Sequence, residues 1–155
     1  MATMVGTQKE MDRLLNALLE LDFDAIEAYR AAIARLQGLD ERTQLALFMA
    51  DHERHTRELA PLIVGLGKEP SAGPDVKQWL TKGKVIIAGL MGDNAVLKAM
   101  KSNEEDTNAA YESAVARTDL PQHIRTVLDR NLGDERRHRA WIDARLQATE
   151  AAEAR

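Results

Sequence analysis

Two stretches of this chain carry the same polar pattern along otherwise apolar helical stripes, so any fold must bring both copies into its interior together. Asp22 is followed seven residues later by Tyr29, and then by the step His52-Glu53-Arg54-His55. Glu104 is followed seven residues later by Tyr111, and then by Glu135-Arg136-Arg137-His138. From the acid to the last histidine the interval is 33 residues in the first copy and 34 in the second. Six side chains able to ligate a metal therefore recur with the fold: Asp22, His52, His55, Glu104, Glu135 and His138.

The spacing around them is helical. Apolar and polar stripe members alternate by three and four residues, as in Leu45, Phe48, His52, His55, Leu59 and Leu62, or Leu97, Met100, Glu104, Thr107, Tyr111 and Ala114. Helices are expected over about 8–37, 41–66, 76–90, 94–118 and 121–147. Thr7 and Glu10 form a capping-box pattern, Gly38 suits a helix stop, and Asp40 can cap the second helix. Gly65, Gly67, Pro70, Gly73 and Pro74 mark the longest linker, and the segment from Val76 to Leu90 reads as a short crossover helix. Asp93 or Asn94 opens the next helix, Pro121 leads into the last, and the Ala- and Glu-rich tail after Gln147 is expected to fray.

Residues on two antiparallel helices share a level when they are equidistant from the turn. Gly38 lies about midway between Asp22 and the His52/His55 pair, and the Leu120-Pro121 break about midway between Glu104 and the Glu135/His138 pair. An all-α, antiparallel four-helix bundle formed by a single domain over residues 1–155 follows, with its polar groups level at mid-height. Few aromatics, 4% of the chain, agree with helices rather than a sandwich or barrel.

A net charge of −4 argues against a nucleic-acid partner, which needs a concentrated basic surface. With no cysteine, disulfides, thiolate metal sites and catalytic thiols are excluded. The apolar stretch from Val85 to Met91 is far short of the roughly 20 residues that span a bilayer. A cytoplasmic protein is expected, self-associating through the crossover, with a dimer favoured. No nucleophile triad, phosphate loop or dinucleotide fingerprint is present.

Side chains three residues apart lie on adjacent turns of one helix face, so a ligand-x-x-ligand step can grip one ion from a single helix. Di-iron and di-manganese carboxylate bundles use one Glu from each of two helices and a Glu-x-x-His step from each of the other two. Glu104 with Glu135 and His138 meets half of that pattern. In these residues the chain resembles the ferritin-like superfamily, bacterioferritins and rubrerythrins among them, across all four long helices. The stretch GDNAVLKAMKSNEEDTNAAYESAVARTDLPQHIRTVL further resembles a bacterial family of four-helix-bundle proteins classed within that superfamily as a domain of unknown function. The resemblance implies bound iron or manganese, with Glu104 a terminal ligand, Glu135 a bridging one, His138 a terminal histidine, and Tyr29 and Tyr111 hydrogen-bond partners behind them. Oxidation of ferrous iron, disposal of peroxide or a stress-related role would follow by analogy.

The first half departs from that pattern, with Asp22 in place of a longer Glu and His52 in place of a bridging Glu. A carboxylate bridges two ions with its two oxygens, whereas an imidazole normally offers one nitrogen to one ion. Three carboxylates also balance only −3 of the +4 that two divalent ions carry. Asp51, Glu53 or Glu105 could rotate in as further acids, although their helical phase points away from the seam. The competing reading is a metal-free network in which three acids face three histidines in a structural, stress or interaction protein. Tyr29 and Tyr111 serve equally well as core residues. Trp79 and Trp141 read as packing groups, Arg136, Arg137 and Arg139 as a solvated face, and His123 as a surface residue.

Overall fold

The computed structural model describes residues 3–74, 87 and 89–155. Four helices run through them: α1 (Met11–Arg35), α2 (Leu39–Gly65), α3 (Asp93–Val115) and α4 (Gln122–Glu153). No strand occurs among the described residues, and the architecture is an all-α four-helix bundle. The polypeptide turns from α1 into α2 through residues 36–38 and from α3 into α4 through residues 116–121, giving two tight hairpins. The hairpins pack α1 on α3 and α2 on α4.

Cross-helix pairs fix the directions. Glu58, Asp51 and Glu41 of α2 meet Arg130, Arg137 and Arg145 of α4, so rising numbers on one helix face falling numbers on the other. Tyr29 with Glu104 and Asp22 with Tyr111 show the same reversal between α1 and α3. The bundle is antiparallel across both pairings.

The apolar stripes form two clusters rather than one. Leu14, Leu18, Leu59, Ile63, Ile124 and Leu128 pack at one end. Leu36, Leu45, Phe48, Met100, Ile142 and Leu146 pack at the other. Between them, at mid-height, lies the polar layer, sealed from water at both ends. Ile63 rather than Leu62 completes the α2 stripe, and α2 continues through Pro61. Trp141 packs against Phe48 edge-on, at 5.8 Å between ring centres, and His123 is exposed.

Several ends differ from expectation. Thr7 donates to the Met4 carbonyl and α1 starts at Met11 without a side-chain cap, so no capping box forms. Gly38 occupies the N-cap of α2 rather than the stop of α1, and Asp40 sits inside the first turn. The α1–α2 turn is held from across the fold instead: the Asp93 carboxylate accepts from the backbone N–H of Gln37 and Gly38, both at 2.8 Å. Asp93 thereby ties the start of α3 to the α1–α2 turn. The tail stays helical to Glu153, consistent with the good helix propensity of its Ala and Glu residues. Near the N-terminus Gly6 adopts φ +92°, and a Cβ there would lie 2.1 Å from the Ala110 carbonyl oxygen, so only glycine lets this strap lie on α3. The expected crossover helix over 76–90, with Trp79, falls outside the described residues apart from its end, where Ile87 and Leu90 meet the second apolar cluster.

Candidate metal centre

The three-residue steps put His52 and His55 on adjacent turns of α2 and Glu135 and His138 on adjacent turns of α4, while α1 contributes Asp22 and α3 contributes Glu104. The fold brings all six into one layer, none more than 1% exposed. They form two overlapping groups of four able to hold a metal ion: Asp22, His52, His55 and Glu135; and His52, Glu104, Glu135 and His138. Within each, one ligand atom per residue lies within 4.8 Å of every other. His52 and Glu135 belong to both.

The two groups are not equivalent. In the first, both oxygens of Asp22 are engaged. Its Oδ1 lies 2.7 Å from His52 Nδ1 and 3.1 Å from His55 Nδ1, and its Oδ2 accepts from the Tyr111 hydroxyl at 2.5 Å. In the second, His52 Nε2, His138 Nδ1 and both Glu135 oxygens are buried without a hydrogen-bond partner among the described residues. His52 Nε2 and His138 Nδ1 each stand 3.7 Å from a Glu104 oxygen, beyond hydrogen-bond reach. Leaving such a group buried and unsatisfied costs about 1–3 kcal/mol, so four clustered ones are a heavy burden on a bundle that leucine could fill.

Behind the ligands stands a second repeat that the sequence reading passed over. Asp51 precedes His52 and Asp134 precedes Glu135, so both halves read Asp-x-x-Arg-His. The halves support each other crosswise. Asp134 lies 3.2 Å from His55 Nε2 and accepts from Arg54; Asp51 lies 2.9 Å from His138 Nε2 and accepts from Arg137 at 2.5 Å. Although its helical phase faces away from the seam, Asp51 reaches the histidine of the neighbouring helix across the α2–α4 contact. Arg137 is likewise more than a solvated side chain, because it clamps both Asp51 and Asp134. The tyrosines cross in the same manner, Tyr29 donating to Glu104 and Tyr111 to Asp22. Both are fully buried, so they serve as core and as hydrogen-bond donors together. Asn108 donates to the backbone carbonyls of Glu104 and Glu135, locking α3 to α4 at the level of the site.

Charge follows this geometry. Burial opposes ionisation of Asp22, but the His55 and His52 rings beside it hold its carboxyl down at about 2. Burial likewise opposes the His55 imidazolium, and the Asp22, Asp134 and Glu135 carboxylates outweigh it and push the ring up to about 10. His52 is raised against the same burial by Glu135, Asp22 and Glu104. Glu104 is lowered, its desolvation offset by His138 and His52. Glu135 moves the other way, raised by burial and by the nearby Glu104 and Asp22 charges although His52 and His55 pull it down. It is the carboxylate that these protons serve least.

The fold and its buried layer define the class: an all-α bundle whose core carries a carboxylate and imidazole set that can hold a metal ion. Within that class the chain belongs to the family described as Domain of unknown function (DUF2383), whose model matches residues 10–117. That span includes Asp22, His52, His55 and Glu104, and ends before Glu135 and His138. No curated protein and no solved structure matches the chain significantly.

Proposed function

We propose that this protein is a ferritin-like bundle that binds iron or manganese at mid-height through residues drawn from Asp22, His52, His55, Glu104, Glu135 and His138. One observation carries the reading: among the described residues, His52 Nε2, His138 Nδ1 and both oxygens of Glu135 are buried without a hydrogen-bond partner, Glu135 Oε1 coming no nearer than 3.4 Å to His55 Nδ1 and 3.5 Å to His52 Nδ1. Their chemistry fits a hard or borderline divalent ion, with oxygen and imidazole nitrogen and no sulfur. The Asp51–His138 contact supports it further, since metal-ligating histidines typically give their other nitrogen to a carboxylate. When bound, iron or manganese would supply one-electron chemistry in a site closed to bulk water. Oxidation of ferrous iron or disposal of peroxide is the activity proposed by analogy with the superfamily.

The metal content of the protein as isolated, and after anaerobic loading with Fe(II) or Mn(II), tests this by mass spectrometry against a Glu135→Ala/His138→Ala control. Bound metal lost in the control is the expected result. Aerobic turnover of Fe(II) tests the activity separately.

A second reading has its own observation. Asp22 with His52 and His55, and Asp134 with His55, already form charge-assisted pairs within the protein, as a metal-free structural or stress-related bundle would have. On that reading Asp22→Leu or His52→Leu leaves stability unchanged or higher, as apolar replacement of buried polar networks often does.

A further inference from the structure

The two halves repeat in sequence but not in how their ring nitrogens are engaged. His52 turns Nδ1 to Asp22 at 2.7 Å and leaves Nε2 without a partner. His138 turns Nε2 to Asp51 at 2.9 Å and leaves Nδ1 without one. Each thus has one nitrogen committed to a carboxylate and the other free to face an ion, the arrangement in which histidine ligates a metal. His55 differs. Its Nδ1 lies 3.1 Å from Asp22 and its Nε2 3.2 Å from Asp134, so carboxylates already engage both nitrogens and neither is left over.

Resting on the metal-binding reading above, we propose that the centre holds a single divalent ion, on His52 Nε2, Glu104, Glu135 and His138 Nδ1, with Asp22 and His55 as a non-ligating ion pair that positions His52. Charge favours this arrangement over a symmetric pair of ions. Glu104 and Glu135 together balance one divalent ion, and Asp22 stays with the His52 and His55 rings that it already contacts. Two ions against three carboxylates leave a net positive charge in a sealed interior, which is costly. To ligate a second ion, Asp22 and His55 must give up the contacts they already hold, whereas the four unpartnered atoms gain theirs. Replacement of the usual bridging Glu by His52 has a consequence on this account: one ring nitrogen ligates, and the other is committed to Asp22.

Anaerobic titration with Co(II), following bound metal by mass spectrometry and the ligand field by visible absorption, tests the proposal on wild type, His55→Gln and His138→Gln. The expected result is one equivalent per chain in wild type, one equivalent retained in His55→Gln, and in His138→Gln a loss greater than the roughly 10–100-fold typical of a merely supporting residue. In Zn(II)-loaded, 15N-labelled wild type, His55 should keep both ring N–H groups while His52 and His138 keep one each; this readout needs no variant to fold. Two ions of similar affinity in wild type, a single N–H on His55, or loss of the ion in His55→Gln as complete as in His138→Gln would overturn the proposal while leaving a metal centre in place. Folded wild type that takes up no Co(II), Fe(II) or Mn(II) would overturn both.

Discussion

The chemistry of this bundle turns on which atom of each side chain is left over after its neighbours have been served. Asp51 and Asp134 decide this for two histidines by engaging Nε2 of His138 and of His55. If Asp51 orients a ligand, Asp51→Asn should weaken metal binding by about 10–100-fold while the fold persists. Asp134→Asn acts on a ring outside the proposed ligand set and should have a smaller effect; competition against a chelator of known affinity measures both, and equal losses would contradict the asymmetry. Tyr111 acts on Asp22 in a comparable way. In Tyr111→Phe the ring still fills its site, but the Asp22 carboxylate loses a buried donor at 2.5 Å, so the metal-free protein should lose about 1–3 kcal/mol of stability, readable by denaturant unfolding. An unchanged midpoint would mean that the hydroxyl contributes nothing to holding the charge.

At the scale of the element, the sequence disclosed the helices and the level of the site for one reason: the three-four spacing and the two turn positions are local, and antiparallel geometry converts them into height along the bundle. Asp22, His52, His55, Glu104, Glu135 and His138 share one layer because each acid lies as far from its turn as its partner step does. What the sequence did not yield was contact across helices. Asp51 and Asp134 sit one residue before the stripe, and a single helical wheel turns them away; only the neighbouring helix makes them partners. Their sequence signal was the doubled Asp-x-x-Arg-His step, legible as a repeat but not as a geometry. The expected caps did not form for the same reason, since Thr7 and Asp40 are locally plausible while the α1–α2 turn is held by Asp93 from 55 or 56 residues away. Removing that carboxylate in Asp93→Ala leaves the Gln37 and Gly38 N–H groups without it and should cost about 0.5–1.5 kcal/mol for each hydrogen bond lost. A thermal melt checks this, and a stability equal to wild type would show that water replaces the carboxylate without loss.

For the whole molecule, the sealed polar layer makes stability depend on pH, and in opposite senses with and without metal. In the metal-free protein the folded-state value for His55 is about 10 against an ordinary 6.5. Its contribution is therefore fully present below about pH 6.5 and is lost as pH rises toward 10. Asp22, at about 2 against 3.8, gives the complementary edge: its contribution is present above 3.8 and lost as pH falls through about 2. These are two ends of one ion pair and are not additive. Chelator-treated protein should thus be most stable between roughly pH 4 and 6.5 as far as this layer is concerned, with its melting temperature declining from pH 6.5 to 9. Metal reverses the slope, because protons compete with the ion for imidazole and carboxylate ligands and binding tightens as pH rises. At a free-metal concentration 1,000 times the dissociation constant the gain is about 4.1 kcal/mol, so the loaded and stripped curves should diverge as pH increases. Parallel melts in EDTA and in excess Mn(II) between pH 5 and 9 measure this. Curves that coincide throughout would leave the metal-free network as the state of the folded protein, and a stripped protein that grows more stable above pH 6.5 would remove the buried His55–Asp22 pair from the account of its stability.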